Sequence, residues 1–165
     1  MTKKPSGGWS IRAMALCLVA VPLSFNALAD GRICTKQEAR AAEAVAATAL
    51  TLEQLHRQFE RYSHCDDGAI AEGFSEAVTW LLAERWQDVL RSYKMLKHDS
   101  AFRVFVIRHI DETVPTERLN QITENASNRC SGSMKDFCRD IEMAAKKAAN
   151  AESDTPSRDK VPGSN

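Results

Sequence analysis

The chain has 165 residues with 22 basic and 22 acidic side chains, so it carries no formal net charge when its histidines are neutral. Basic and acidic residues alternate along nearly every segment, which excludes the concentrated basic face that nucleic-acid binding requires. The length fits one domain with room for a substantial core.

The first 29 residues have the layout of a secretory signal peptide. Lys3, Lys4 and Arg12 give a basic start, residues 13–23 form an apolar run, and residues 27–29 read Ala-Leu-Ala, a typical cleavage site. Cleavage there removes three basic residues and leaves 19 basic against 22 acidic side chains in the mature chain. We therefore predict a signal peptide at residues 1–29 and a mildly acidic protein in the periplasm or the medium.

A lipid anchor or a retained membrane helix is the alternative that Cys17 raises, because it lies inside the apolar run. Cys17 follows Leu16, whereas a lipid-modified cysteine normally follows a small residue. The run is also about half of the roughly 20 residues that a membrane-spanning helix needs. We expect no membrane insertion after cleavage.

Apolar residues recur at intervals of three and four along residues 30–149, which predicts an all-α, single-domain bundle of five to six helices. Thr35 with Glu38 forms a capping-box pair ahead of an alanine-rich stretch that reaches residue 50. Thr51 with Gln54 forms a second such pair ahead of the next helical segment. Each pair predicts the start of a helix.

The longest predicted helix is central and begins at a cap formed by Asp66 or Asp67. Its apolar positions extend over about 28 residues and are Phe74, Val78, Leu81, Leu82, Val89 and Tyr93.

Three shorter segments follow the central helix. Asp99 caps a run that we expect to be buried on most sides, made of Phe102, Val104, Phe105, Val106 and Ile107. Pro115 suits the first turn of the next helix, whose apolar stripe is Leu119, Ile122 and Ala126. After Ser131, Gly132 and Ser133, a last helix buries Met134, Phe137, Ile141 and Ala145. Residues 150–165 turn polar, and we predict that they form a disordered tail.

Four cysteines remain in the mature chain, and export permits them to pair: Cys34, Cys65, Cys130 and Cys138. A single straight helix between the first two would hold them roughly 45 Å apart, whereas a disulfide needs Cα atoms within about 7 Å. Two disulfides therefore require a hairpin, and the second capping pair places its break near Leu50. Local pairing, Cys34 with Cys65 and Cys130 with Cys138, is favoured; the crossed pairings and a straight helix with unpaired thiols stay open.

No group of side chains has the spacing of a catalytic or metal site. Cys65 lies among His64, Asp66 and Asp67, but adjacent residues at a helix start point in different directions. Ser75 lies between Gly73 and Ala77 inside a predicted helix, where a nucleophile elbow needs a strand-to-helix turn. The remaining histidines are expected at the surface or at helix ends, and they are His56, His98 and His109. We predict a protein that is not an enzyme and uses no cofactor or metal.

Two features are candidates for contact with a protein partner. Trp80 and Trp86 lie six residues apart on the central helix and so on largely different faces, and an exposed tryptophan is a common binding anchor. The acidic, proline-stiffened connector between two short helices could enter a cleft on another protein. Its candidate residues are Asp111, Glu112, Val114 and Pro115.

A signal peptide, a small helical domain and one spaced motif resemble the periplasmic immunity proteins that protect bacteria from cell-wall amidase effectors of type VI secretion. The residues of the motif are Cys65, Gly68, Ile70, Gly73 and Ala77, with Cys130 closing a later helix. The resemblance implies stoichiometric inhibition, in which a protruding loop and a charged helix face cap the active-site cleft of a secreted effector enzyme. The competing hypothesis is a structural or chaperone-like envelope protein. A disulfide-exchange or metal enzyme would need a reactive thiol.

Overall fold

The structure is a computed structural model that describes residues 32–153, with no account of the side chains of Glu152 and Ser153. Within that range the chain is all-α, as predicted, with no strand and with eight α-helices instead of the expected five to six. They are α1 (Lys36–Glu43), α2 (Leu52–Tyr62), α3 (Gly68–Glu84), α4 (Trp86–Arg91), α5 (Tyr93–His98), α6 (Ser100–Arg108), α7 (Thr116–Asn128) and α8 (Lys135–Ser153). Three 3₁₀ turns link them, at Ala46–Thr48, Ser63–Cys65 and Gly132–Met134. None of the described helices has the length and apolar content that crossing a bilayer requires.

The first two helices form the hairpin that was predicted from pairing of the cysteines. Cys34 and Cys65 are disulfide-bonded with their Cα atoms 5.0 Å apart, so the start of α1 and the turn after α2 lie together. The straight-helix alternative is wrong, because the chain leaves α1 at Glu43 and re-enters helix at Leu52. The break therefore covers residues 44–51, somewhat more than the turn expected near Leu50.

Both capping pairs act at helix starts, but the two are not equivalent. Thr35 and Glu38 exchange side-chain and backbone hydrogen bonds as a complete capping box. The bonds from the Thr35 side chain and backbone lower the pKa of Glu38 to about 2. In the second pair the Thr51 hydroxyl accepts from the Gln54 backbone, while the Gln54 amide oxygen accepts from the backbone of Leu50 (2.8 Å). The second box is thus shifted by one residue, and it fixes the turn that precedes α2.

Gly73 lets the hairpin lie directly against α3. A Cβ added at Gly73 would come within 2.8 Å of the Ala46 Cβ and 3.3 Å of the Ala47 backbone nitrogen. These atoms belong to the 3₁₀ turn between α1 and α2. Neither lies at the end of a flexible side chain, so neither can move aside without moving the backbone.

We expect Gly73→Ala to lower the free energy of unfolding by about 1 kcal/mol. Overpacking costs about 1–3 kcal/mol, and alanine's better helix propensity returns up to about 1 kcal/mol. Gly132→Ala is the matched control, since a Cβ there meets nothing within 4 Å and should change stability little. Urea unfolding of both variants measures the difference. Equal stabilities would show that the contact between the turn and α3 is looser than described.

The predicted central helix of about 28 residues is wrong, because it divides into α3, α4 and α5. Asn125 on α7 donates its side-chain amide to the carbonyls of Leu82 (2.9 Å) and Ala83 (2.8 Å). In a continuous helix those carbonyls would accept from the backbone N–H groups four residues later. The Trp86 indole then donates to the carbonyl of Arg129 (3.1 Å), which ties the start of α4 to the end of α7.

Helix α6 crosses the middle of the core as predicted, although not all of its apolar residues are buried. Phe102 and Phe105 pack with Phe59 and Phe74, with ring centroids of neighbouring pairs 5.0–5.3 Å apart. The expectation that Val104 is buried is wrong: it is 65% exposed. A single helix that packs on neighbours along one side must leave one position per turn facing outward.

Helices α7 and α8 complete the bundle and are joined by the second disulfide, Cys130–Cys138, with Cα atoms 6.2 Å apart. The predicted stripes are buried on both helices, at Leu119, Ile122, Ala126, Phe137, Ile141 and Ala145. Pro115 is the N-cap of α7 and precedes its first turn. Helix α8 continues to Ser153, past the boundary predicted at residue 150. The predicted signal peptide and the rest of the predicted tail lie outside the described residues.

Candidate functional site

The connector between α6 and α7, residues 111–115, is held rigidly although it has no regular secondary structure. The Asp111 carboxylate accepts hydrogen bonds from the Ser75 hydroxyl on α3 (2.8 Å) and from the backbone and hydroxyl of Thr113 (2.9 and 2.5 Å). Val114 is buried and anchors the far end of the connector in the core. Glu112, Thr113 and Pro115 remain exposed.

The residues predicted to contact a partner therefore divide into two groups. Glu112 and Pro115 are exposed, whereas Val114 is a core residue and the Asp111 carboxylate bonds inward. The expected role in partner contact needs correction for Asp111 and Val114, because they hold the connector in place and expose little side-chain surface to a partner. Trp86 also needs correction, since it is 1% exposed and lies in the core. Trp80 is partly exposed beside the Arg85 guanidinium, which lies 5.9 Å from its ring centre.

The pKa of Asp111 is lowered from its ordinary value. Partial burial opposes ionisation, but the hydrogen bonds from Thr113 and Ser75 and the nearby charge of His109 outweigh that effect. The ionised carboxylate is therefore the form that binds Ser75 and Thr113 together.

We expect the bracing of the connector to be complete above the usual pKa of an aspartate, about 3.9. It should be lost as the pH falls through the lower pKa of the folded state, because a protonated carboxyl accepts these bonds poorly. The Thr113 amide proton shift, followed by NMR against pH, should titrate with a midpoint below about 3.9. Asp111→Asn is the control and should give a flat profile. A midpoint at or above that value in the unmodified protein would contradict the bracing.

His109 is the C-cap of α6, one of the helix-end positions expected for the histidines, and it is buried at the base of the connector. Its Nδ1 lies 2.8 Å from the Phe105 carbonyl and its Nε2 lies 3.1 Å from Asp66 Oδ1. A carbonyl oxygen can only accept, so Nδ1 donates to Phe105, and Nε2 faces the Asp66 carboxylate. Arg108 donates to the other oxygen of Asp66. The end of α6 is thus tied to the turn before α3.

An apolar groove runs beside the connector, between α6 and α8. It encloses about 540 Å³. Its lining is Ile107, Arg108, Ile110, Asp111, Glu112, Asp140, Met143, Ala144, Lys147, Ala148 and Ala151. Met143 stands on its rim with 56% of its surface exposed. We call this feature the α6–α8 groove.

A second, smaller hollow of about 190 Å³ also borders the connector, between α3 and α7. Thr113, Val114 and Pro115 line one wall, and the ion pair of Arg118 with Glu76 (2.5 Å) crosses the other. The connector therefore borders two hollows, the groove through Asp111 and Glu112 and the smaller one through Thr113, Val114 and Pro115. Neither tryptophan lines either hollow.

The sequence did not predict the groove. Its walls come from residues near 108 and near 145, and the sequence contains no pairing signal between two helices so far apart. Met143 is apolar but falls off the stripe of Phe137, Ile141 and Ala145. Single apolar residues are common on protein surfaces, so this position alone does not predict a groove.

The serine and histidine considered as candidates for chemistry form hydrogen bonds that stabilise the fold. Ser75 is buried within α3 and donates to Asp111, so it lies on no strand-to-helix turn. His56 lies 2.9 Å from Asp99, the N-cap of α6. In residues 32–153 no group of three or more His, Cys, Asp or Glu side chains is placed to hold a metal ion.

Comparisons with known proteins give no match, whether to a family model, to a curated protein or to a solved structure. The residues that carry the resemblance to immunity proteins have clear structural duties here. Cys65 forms a disulfide, Gly68 adopts a positive φ of 51° at the start of α3, Gly73 admits the hairpin, and Ile70 and Ala77 are buried.

Proposed function

We propose that this protein is an exported, non-catalytic binding protein, and that it acts as an immunity-type inhibitor capping a cell-envelope hydrolase or toxin. The observation that carries the proposal is the braced connector beside an apolar groove. Glu112, Thr113 and Pro115 are exposed on this connector, while Asp111 bonds to α3 and Val114 is buried in the core. The two disulfides support a location in the periplasm or medium, where such bonds form and persist.

Rigidity favours this role. A loop fixed before binding loses less conformational entropy on association than a mobile one, so more of the contact energy appears as affinity. The connector has three such restraints: the Asp111 bonds to α3, the buried Val114, and the tie from Arg108 and His109 to Asp66.

The α6–α8 groove supplies the kind of surface that protein interfaces use. An apolar floor of Ile107, Ile110 and Ala148 is bordered by charged side chains, which matches an apolar interface core with a polar rim. Methionine is enriched at such interfaces, and Met143 stands at the edge of the groove. The connector and the groove are continuous, since Asp111 and Glu112 belong to the connector and also line the groove.

The test is affinity capture of the mature chain, residues 30–165, from envelope extracts of bacteria that secrete cell-wall hydrolases, followed by titration of the captured enzyme. We expect one partner at a ratio of one to one, with its activity abolished at equivalence. A mature chain that neither inhibits a captured hydrolase nor protects cells in a competition assay would contradict the proposal.

Met143→Asp should weaken that complex at least about tenfold, because it places a charge at an apolar contact. Leu50→Asp is the matched control, since Leu50 is 58% exposed, close to the 56% of Met143, but lies in the turn between α1 and α2. Equal affinities of the two variants would place the partner elsewhere on the molecule.

A structural or chaperone-like envelope role is the second candidate, and the exposure of both Val104 and Met143 favours it. Such a protein would bind many unfolded chains weakly and suppress their aggregation, whereas an inhibitor binds one folded enzyme. An aggregation assay with a reduced, unfolded client separates the two. Suppression by the unmodified protein that is lost in Met143→Asp would favour the chaperone-like role.

A further inference from the structure

A separate pocket of about 670 Å³ opens between α2 and the turn that follows α1. Its volume is within the range of pockets that hold small molecules, roughly 300–1,000 Å³. Its lining is Val45, Thr48, Gln54, Arg57, Gln58, Glu60, Arg61 and Tyr62. None of these residues belongs to the connector or to the α6–α8 groove.

Two arginines line this pocket. Arg57 and Arg61 are one helical turn apart on α2, a spacing that places both on the same helix face. Among the described residues, neither guanidinium has a carboxylate within ion-pair distance. Arg61 is held over the ring of Tyr62, with its guanidinium carbon 5.2 Å from the ring centre.

The nearest acidic side chains are engaged elsewhere. Glu60, which is on the pocket rim, turns its carboxylate towards His56 Nδ1 at 3.8 Å. Glu53 accepts a hydrogen bond from the Ser92 hydroxyl, and the charge of Arg57 acts on it at longer range than an ion pair. The pocket lining thus carries two arginines against one glutamate, Glu60, and keeps a net charge of +1 (2 − 1).

The neutral side chains also leave donors free. The Gln54 amide oxygen accepts from the Leu50 backbone N–H, which can only donate, so the remaining group of Gln54 is its NH₂. The Thr48 hydroxyl donates to the Val45 carbonyl (2.8 Å) and therefore accepts from the Gln58 amide (3.4 Å). The other end of Gln58, its Oε1, is shielded from solvent. Acceptors are thus turned inward or spent, and donors remain.

We propose that this pocket binds a small organic oxyanion, a molecule that carries a carboxylate or a phosphate. Arg57 and Arg61 bind the anionic group through charge-assisted hydrogen bonds, and the NH₂ of Gln54 adds a neutral one. Val45 contacts the apolar part of the molecule. The proposal is independent of the protein partner, since the pocket shares no residue with the connector or its groove.

The experiment is a two-dimensional amide NMR titration of the mature chain with sodium phosphate and, separately, with sodium citrate, at constant ionic strength maintained with sodium chloride. We expect saturable shifts confined to residues 45–62 with at least one of the two anions. Saturation with phosphate alone identifies a phosphate site, and saturation with citrate alone identifies a carboxylate site.

Arg57→Gln and Arg61→Gln should each weaken this binding about tenfold, the usual effect of removing a hydrogen bond to a charged group. Arg139→Gln is the matched control, because Arg139 is an exposed arginine on α8. It should leave the affinity unchanged, and far-UV circular dichroism verifies that all three variants fold. Shifts that do not saturate with either anion, or an affinity equal in all three variants, would overturn the proposal.

Discussion

Replacing Cys34 and Cys65 together by alanine is expected to lower the free energy of unfolding by about 3.7 kcal/mol. The bond joins residues 31 positions apart, and a cross-link over a longer loop removes more entropy from the unfolded chain. It also holds the hairpin shut at the end opposite its turn, so the loss should be accompanied by fraying of α1. Urea unfolding followed by circular dichroism measures the change.

The second disulfide is the internal control for this prediction. Cys130 and Cys138 are separated by eight residues, so the same argument gives about 2.5 kcal/mol for their joint replacement by alanine. Which of the two variants loses more free energy of unfolding is a sharper test than the size of either loss. If the Cys130/Cys138 variant were the less stable of the two, the chain-entropy account of the N-terminal hairpin would be wrong.

Replacing Asp66 by alanine should cost about 3 kcal/mol of stability. The Asp66 side chain is 4% exposed, and it receives hydrogen bonds from His109 and Arg108 at the base of the connector. Its removal leaves the buried imidazole without its anionic partner, and breaking one side of a buried pair costs far more than breaking an exposed one.

Asp136→Ala is the matched comparison for Asp66→Ala. Asp136 pairs with Arg139 at 3.0 Å, but its side chain is 75% exposed, so its loss should cost under about 1 kcal/mol. Thermal and urea unfolding of both variants give the two costs. Similar values would show that the Asp66 pair is solvated and does not hold the connector.

The hairpin was predictable because covalent geometry decides it. If the four cysteines form two disulfides, the fixed rise of a helix leaves no straight path between Cys34 and Cys65, and the Thr51 cap marks where the chain can turn. The sequence also identified the buried stripes of α7 and α8, since an amphipathic helix shows its buried side in its own periodicity.

The division of the central helix was not predictable in the same way. The carbonyls of Leu82 and Ala83 find their donor in Asn125, which lies about 43 residues further along the chain. The burial of His109 against Asp66 was not predictable for the same reason, because Asp66 lies 43 residues before it. Polar groups that are satisfied by distant partners leave no local pattern in the sequence.

The candidate site was partly visible from the sequence. The connector stood out through its acidic and proline residues, but which of them face inward depends on Ser75 and on the core around Val114. The groove required the packing of α6 against α8, which periodicity alone does not specify.

The central claim, that the connector and the α6–α8 groove contact the partner, is tested most directly by hydrogen–deuterium exchange of the mature chain alone and in complex with the captured enzyme. The account predicts slower exchange in residues 107–116 and 140–148 of the complex, with the hairpin unchanged. Protection confined to residues 45–62, or spread evenly over the chain, would contradict it.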